Sequence, residues 1–583
     1  MRRILFPSAI GLILAASAAQ AQTIYPLDRA DILVGARFDF KVEFGEIVKS
    51  ADVAITINGR DYARQFGASA TYVEREDGKD QSALVLRDVS FSSPGTYKVK
   101  VTAGQKSREV VWAVFGTGPR VAKNVILFIG DGMAPAHRTA ARLLSKGISD
   151  GKARGKLAMD DMPHTALVAT AGSDSIITDS ANSASAYTTG HKSAVNALGV
   201  YADRTKDPFD DPKVETITSL VKRKLGMAVG VVTNTEIEDA TPASMVAHTR
   251  RRAEYNRIVE QMFEAKPDVI MGGGSANFIP KSVEGSKRTD DQDFMAKFKG
   301  AGYALASNAA ELTKVNGDPA TKKLLGLFST GNMDGALDRK FLKGGSVKKF
   351  PDQPDLTQQV SAALNVLSKN PKGFILMVES GLIDKYTHAL DMDRAVYDTI
   401  LLDNAVAVAR DWAKSHGNNT LILVVPDHGH PVGLIGTIND DMTATPKGEL
   451  RQSVDTYAEA GVPNYPAPDK EGYPPRVDVS RRLALFSASL PDYYETFRPK
   501  LDGPNSPAVA ENGVYKANEK YKSSPGAMLR AGNLPSNQGA DVHSGEDVIL
   551  TGMGPGSEQV RGSLENTDVF KIIANALGLG RPK

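Results

Sequence analysis

The chain has 583 residues, more than one domain of roughly 100–200 residues accounts for, so a large core with an accessory domain is expected. Its 41% hydrophobic and 24% charged residues are ordinary for a globular protein, and a net charge of +2 without any Lys/Arg block argues against nucleic-acid binding. No cysteine occurs, which excludes disulfides, a lipid-bearing cysteine and thiolate metal ligands.

At the N-terminus Arg2 and Arg3 precede an apolar run over residues 4–18, and Ala19-Gln20-Ala21 supplies small residues in a cleavage pattern. A secretory signal peptide over residues 1–21, removed before Gln22, is expected. The run is shorter than the ~20 residues of a membrane span and contains Pro7, so the expectation is a periplasmic or secreted protein with no membrane anchor. Residues 22–118 alternate with period two: Phe38, Phe40, Val42 and Phe44 interleave with Asp39, Lys41 and Glu43. Val53, Ile55 and Ile57 do the same, as do Tyr97, Val99 and Val101 after the turn signal Pro94-Gly95. Short alternating strands of this kind predict an N-terminal β-sandwich domain.

From residue 119 to 583 the rhythm changes to unbroken apolar runs separated by helical patterns. The runs lie at 125–129, 228–232, 269–271, 374–378 and 421–425, and the helical patterns at 214–224, 255–265, 356–368, 395–415 and 568–577. That alternation predicts an α/β domain whose central, largely parallel sheet lies between helix layers. Residues 431–540 interrupt it with Pro, Tyr, Asp and Gly and return near Asp541. Such an insertion serves as a lid, a homodimer contact or a plain surface loop, and the sequence leaves these open.

Ligands of open α/β sheets bind at the carboxyl ends of strands, so the residues after each run are the candidates. The first run ends in Gly130-Asp131-Gly132, where glycines let the chain turn and expose a carboxylate; alone, such a turn is common. In Asp179-Ser180-Ala181-Asn182-Ser183-Ala184-Ser185, Ser180 is placed at a helix N-terminus, where exposed amides favour a phosphoryl group. Ser183 and Ser185 are rival hydroxyls deeper in the same helix. After residue 232 come Asp239-Ala240-Thr241-Pro242, read as oxygen ligands on an extended stretch, and Arg250-Arg251-Arg252, read as a phosphate clamp or a solvated helix face. The run at 374–378 leads into Glu379, Asp384 and His388, the last two one helical turn apart. The run at 421–425 leads into Asp427-His428-Gly429-His430, the strongest single metal signal, since charged groups behind a buried strand need compensation. His430 is left as ligand, partner of a ligand or orienting group, with the second of these preferred. His543 follows in Asp541-Val542-His543-Ser544-Gly545. Imidazole and carboxylate without thiolate suit Zn²⁺, and oxygen-only positions suit Mg²⁺.

In this order the motifs resemble the alkaline phosphatase family, over about residues 124–579. The resemblance implies hydrolysis of small phosphate monoesters, with Ser180 forming a phosphoserine and Arg252 binding phosphate. It implies one zinc on Asp384, His388 and His543, a second on Asp131, Asp427 and His428, and a magnesium on Asp131, Thr241 and Glu379. The front sandwich and most of residues 431–540 lie outside it, and Asn182 and Ser183 occupy positions where small apolar or hydroxyl residues are expected. Two competing readings remain: a phosphodiesterase of the same superfamily, and a secreted metal- or phosphate-binding protein without catalysis.

Overall fold

The computed structural model describes residues 22–440 and 450–581. The expected signal peptide, residues 1–21, lies outside the described residues. Among those described, no helix is long and apolar enough to cross a membrane.

Two compact units divide the chain. The first holds Phe38–Val89, Gly95–Ala113 and the stretch ending at Ala30; the second holds Asp31–Arg37, Ser90–Pro94 and everything from Val114 onward. The first unit is the expected sheet domain. Strands Gln22–Tyr25, Phe38–Phe44, Ala83–Val89 and Thr71–Val73 form one antiparallel sheet, and Lys106–Phe115, Gly95–Ala103, Val53–Ile57 and Arg60–Asp61 lie in another. Phe38 sets its ring edge-on to Trp112 at 5.9 Å, the geometry aromatic pairs favour. The polar half of the Phe38–Phe44 alternation departs from expectation, because Asp39, Lys41 and Glu43 are buried too. Lys41 is compensated there by Glu76 at 2.7 Å and Glu43 at 3.2 Å, as a buried charge must be.

The second unit is built on a ten-stranded sheet. Its order is Ala304–Ala306, Leu324–Leu327, Val269–Gly273, Ala228–Glu236, Phe374–Ser380, Asn124–Gly130, Thr420–Val425, Val548–Met553, His164–Ala169 and Arg561–Glu565. The first seven run parallel, and Val548–Met553 runs antiparallel to both neighbours. All five apolar runs of the sequence are strands, hydrophobic throughout because helices cover both faces. Val125, Leu127 and Ile129 pack toward helices Ile217–Leu225, Tyr255–Ala265 and Asn566–Leu577, whereas Ile126 and Phe128 pack toward Pro135–Lys146, Leu356–Leu367 and Met392–Ser415. Each fully buried side chain of this kind contributes about 1.5–3 kcal/mol. This sheet is the scaffold on which rigid site geometry is held.

The segment between residues 431 and 540 has strands of its own. Val432–Asn439 pairs antiparallel with Arg481–Ser487 and with Val454–Asp455, and two small two-stranded sheets follow, Tyr493–Glu495 with Met528–Arg530 and the hairpin Ala508–Glu511 with Val514–Ala517.

Candidate metal and phosphate centre

The parallel strands deliver their last residues to one edge of the sheet. Asp131 follows Asn124–Gly130, Glu379 lies within Phe374–Ser380 opposite Ile129, and Asp427-His428 follows Thr420–Val425. Val548–Met553 runs the other way, so its beginning reaches the same edge. There Ser544 N donates to Gly429 O at 3.0 Å, which brings His543 beside His428.

Ser180 opens the helix Ser180–Thr189. Asp179 caps it, accepting from Asn182 N at 3.1 Å, and Asn182 Oδ1 accepts from Asp179 N at 2.9 Å. That reciprocal cap accounts for Asn182, the departure noted in the sequence. The Ser180 hydroxyl is buried, with Oγ 3.4 Å from Asp131 Oδ1 and 3.3 Å from His428 Nε2. Its rivals are engaged elsewhere: Ser183 Oγ donates to Asp427 O at 2.5 Å, and Ser185 Oγ to Ala197 O at 3.3 Å.

Two groups of donors form. In one, Asp384 and His388 lie a turn apart on the helix Leu382–His388, and His388 Nε2 is 3.2 Å from Asp384 Oδ1. His543 Nε2 lies 3.5 Å from the same oxygen and 3.1 Å from His388 Nε2. The other ring nitrogens face main-chain carbonyls, His388 Nδ1 that of Asp541 at 2.5 Å and His543 Nδ1 that of Thr178 at 2.8 Å. A carbonyl only accepts, so these Nδ1 atoms carry the hydrogens, and in the neutral rings two Nε2 lone pairs face each other. That arrangement is repulsive unless a proton or a metal cation lies between them. In the second group, His428 Nε2 is 3.2 Å from Asp131 Oδ1 and 3.5 Å from Asp427 Oδ2. Asp131, Asp427 and His428 offer atoms close enough for one ion, as do Asp384, His428, His430 and His543.

Beside them, Glu379 accepts from Thr233 and, at 3.1 Å, from Thr235. Thr241 is not on an extended stretch as the sequence suggested. It sits in the single helical turn Ala240–Ala243, capped by Asp239, where Pro242 is tolerated because first-turn amides have no partner within the helix. Arg252 is not on a helix face either. Its guanidinium spans Asp239 at 2.8 Å and Asp179 at 3.3 Å, while Arg250 turns toward Asp203 and Asp211 and Arg251 is exposed. Of the three arginines, only Arg252 therefore faces the Ser180 helix cap.

The electrostatics are those of a site lacking enough positive charge. Burial, Asp131 and Asp384 push Asp427 well above the usual carboxylate range. Burial and Asp131 lift Glu379 to about 8. Burial works against ionised Asp384 as well, but His388, His430 and His543 outweigh it and hold its pKa low. Buried Asp427 Oδ2, His428 Nδ1 and Thr241 Oγ1 have no hydrogen-bond partner. Converging lone pairs, crowded carboxylates and unpartnered oxygens together fit bound cations.

Two site residues were not singled out in the sequence. Lys385 lies 3.1 Å from Asp239 and 3.8 Å from Asp384; burial disfavours its charge, but these carboxylates raise its pKa. Its position directly after Asp384 was the available signal. Asp541 was quoted only as the start of the His543 segment. Its Oδ2 faces His430 Nδ1 at 3.0 Å, and His430 Nε2 meets Asp384 Oδ1 at 2.8 Å. Burial opposes a charged His430, but the two carboxylates lift it to about 9, so both its nitrogens are donors. Of the roles left open for His430, the geometry favours a partner that braces Asp384.

Fold and donor set define a metal-dependent hydrolase acting on anionic esters. The family model for alkaline phosphatase matches residues 122–579. The alkaline phosphatase of Escherichia coli K12 is 35% identical over 346 residues, covering 53% of this chain and 70% of that protein. The tissue-nonspecific alkaline phosphatase of Gallus gallus is 29% identical over 496 residues, covering 79% and 85%. The Thermus thermophilus alkaline phosphatase structure superposes with a TM-score of 0.57 and 25% identity, over 80% of this chain and 93% of that one. The chain belongs to the alkaline phosphatase family and is a phosphomonoesterase.

Proposed function

We propose that the protein hydrolyses small phosphate monoesters through a phosphoserine at Ser180, in a site that holds two zinc ions and one magnesium ion. The observation that carries this is the Ser180 hydroxyl at a capped helix N-terminus, set between the Asp131 and His428 donors. Asp384, His388 and His543 would hold one zinc, Asp131, Asp427 and His428 the other, and Asp131, Thr241 and Glu379 the magnesium. When bound, these ions supply Lewis-acid stabilisation of developing negative charge and lower the pKa of coordinated water.

The chain's own groups do the rest. Ser180 Oγ attacks phosphorus as the ester alcohol leaves, and water then releases phosphate and restores the hydroxyl. The first amides of the Ser180 helix and the N–H groups of the Arg252 fork not engaged by Asp239 and Asp179 take the non-bridging oxygens. Asp239 and Asp179 hold that fork in place, and Lys385 adds a second cation close by. Burial shields the reacting oxygens from bulk water, which strengthens each of these interactions.

The test is Ser180→Ala with p-nitrophenyl phosphate, its bis ester and labelled phosphate. The variant should lose about 10³-fold or more in kcat and trap no phosphoserine at acid pH. Normal turnover by the variant would remove Ser180 as nucleophile, and a preference for the bis ester would favour a phosphodiesterase. We also infer export, from residues 1–21; the mass of the mature N-terminus checks cleavage before Gln22.

A further inference from the structure

Between Gly429 and Asp541 the chain leaves the central sheet for more than a hundred residues, and the place where it returns is unusual. Asp541 is 1% exposed, and its carboxylate is saturated. Oδ1 accepts from Ser487 Oγ at 2.7 Å, from Ser489 Oγ and from its neighbour Val542 N at 3.0 Å; Oδ2 faces His430 Nδ1 at 3.0 Å. The main chain of the same residue grips His388 twice: Asp541 N donates to His388 O at 3.1 Å, and Asp541 O accepts from His388 Nδ1. Ser487 ends the strand Arg481–Ser487, and Ser489 follows two residues later, so both hydroxyls belong to the segment that departs from the phosphatase core. That strand is held in register against Val432–Asn439, and Ala488 N donates to Pro431 O at 2.8 Å.

These contacts form one line of hydrogen bonds. It runs from Ser487 and Ser489 through Asp541 and His430 to Asp384 Oδ1, the oxygen that His388 and His543 also face. A side chain that must meet a cation at fixed distance loses affinity when its orientation is free, and groups behind the donors supply that orientation. We propose that Asp541 is a positioning residue for the phosphatase reaction, fixed by Ser487 and Ser489 of the 431–540 segment so that His430 holds Asp384 in its metal-binding orientation. The segment thereby acts as a brace for the zinc site. This rests on the reading that Asp384, His388 and His543 hold zinc.

The experiment titrates zinc into the full-length, metal-free protein in competition with a chromophoric chelator, so that affinity is read without turnover. Asp541→Asn keeps the size of the side chain but removes the charge facing His430. It should weaken the site by roughly 10–100-fold, the range that partners of metal-bound side chains show on mutation, and Asp541→Glu should recover part of the loss. A folded Asp541→Asn protein with wild-type zinc affinity overturns the proposal, whatever its melting temperature. If that variant fails to fold, Ser487→Ala/Ser489→Ala decides, since it leaves the carboxylate in place but unfixed. A several-fold weaker zinc site then supports the proposal, and an unchanged one overturns it. Asp384→Asn separates the two readings. If it leaves zinc stoichiometry intact, the assignment of ligands has failed; if it abolishes one site while Asp541→Asn has no effect, only the brace has.

Discussion

Arg252 is held at both ends in the resting site, by Asp239 at 2.8 Å and Asp179 at 3.3 Å. Burial disfavours its charge, yet those carboxylates keep it protonated throughout the working pH range. A fork fixed in this way loses little freedom when phosphate binds, which an ammonium on a flexible stem cannot match. Arg252→Ala should therefore lower kcat/KM for p-nitrophenyl phosphate by about 10–100-fold, the worth of one charged hydrogen-bond pair, and Arg252→Lys should restore less than half of that on a logarithmic scale. Full recovery with lysine would mean that charge alone is used there. Arg252 was legible in the sequence only through the family resemblance. The triplet Arg250-Arg251-Arg252 gives no reason to prefer one arginine, and it is the loop that turns Arg250 to Asp203 and Asp211 that separates them. Asp541 was still less legible, because its partners Ser487, Ser489 and His430 are 54, 52 and 111 residues away.

At the scale of elements, strands and their ends were the most readable feature, since a strand covered on both faces must be apolar along its whole length. The turn that follows Asn124–Gly130 shows why its motif is Gly-Asp-Gly. Gly132 has φ of 65°, a left-handed conformation that costs other residues strain, and a methyl there would stand 2.8 Å from His430 Cδ2 and 3.0 Å from Asp384 Cβ. Gly132→Ala should thus destabilise the protein by about 1–3 kcal/mol and also displace the His430–Asp384 pair. Denaturant unfolding together with zinc affinity checks this; loss of stability with unchanged zinc binding would show that the methyl is absorbed away from Asp384. The short outer strands, such as Ala304–Ala306 and Leu324–Leu327, carried no comparable pattern. Neither did the hairpin Ala508–Glu511 with Val514–Ala517, because elements of three or four residues leave no periodicity to read.

Across the whole molecule, the catalytic unit concentrates Asp131, Asp239, Glu379, Asp384 and Asp427 at one edge of its sheet, with Arg252, Lys385 and His430 as the nearby cations. Folding without metal must crowd these carboxylates, and Asp427 is pushed up by burial, Asp131 and Asp384. An acid whose pKa is higher folded than unfolded contributes stability at low pH and loses it as pH rises from the unfolded value, near 4, through the folded one. At pH 8, far above the unfolded value, the metal-free protein therefore carries that penalty, and Asp427→Asn relieves it. The variant should be more stable than the parent after exhaustive chelation, by about 1–2 kcal/mol for each pKa unit of displacement removed. With saturating zinc the order should reverse, because a ligand that binds only the folded state stabilises it by about 2.7 kcal/mol at a hundred times its Kd, and the amide has lost the anionic donor. Calorimetry at pH 8 with and without zinc reads both arms. If Asp427→Asn is the less stable protein in both, the carboxylate is needed for packing rather than for a cation, and the charge argument for the centre fails with it.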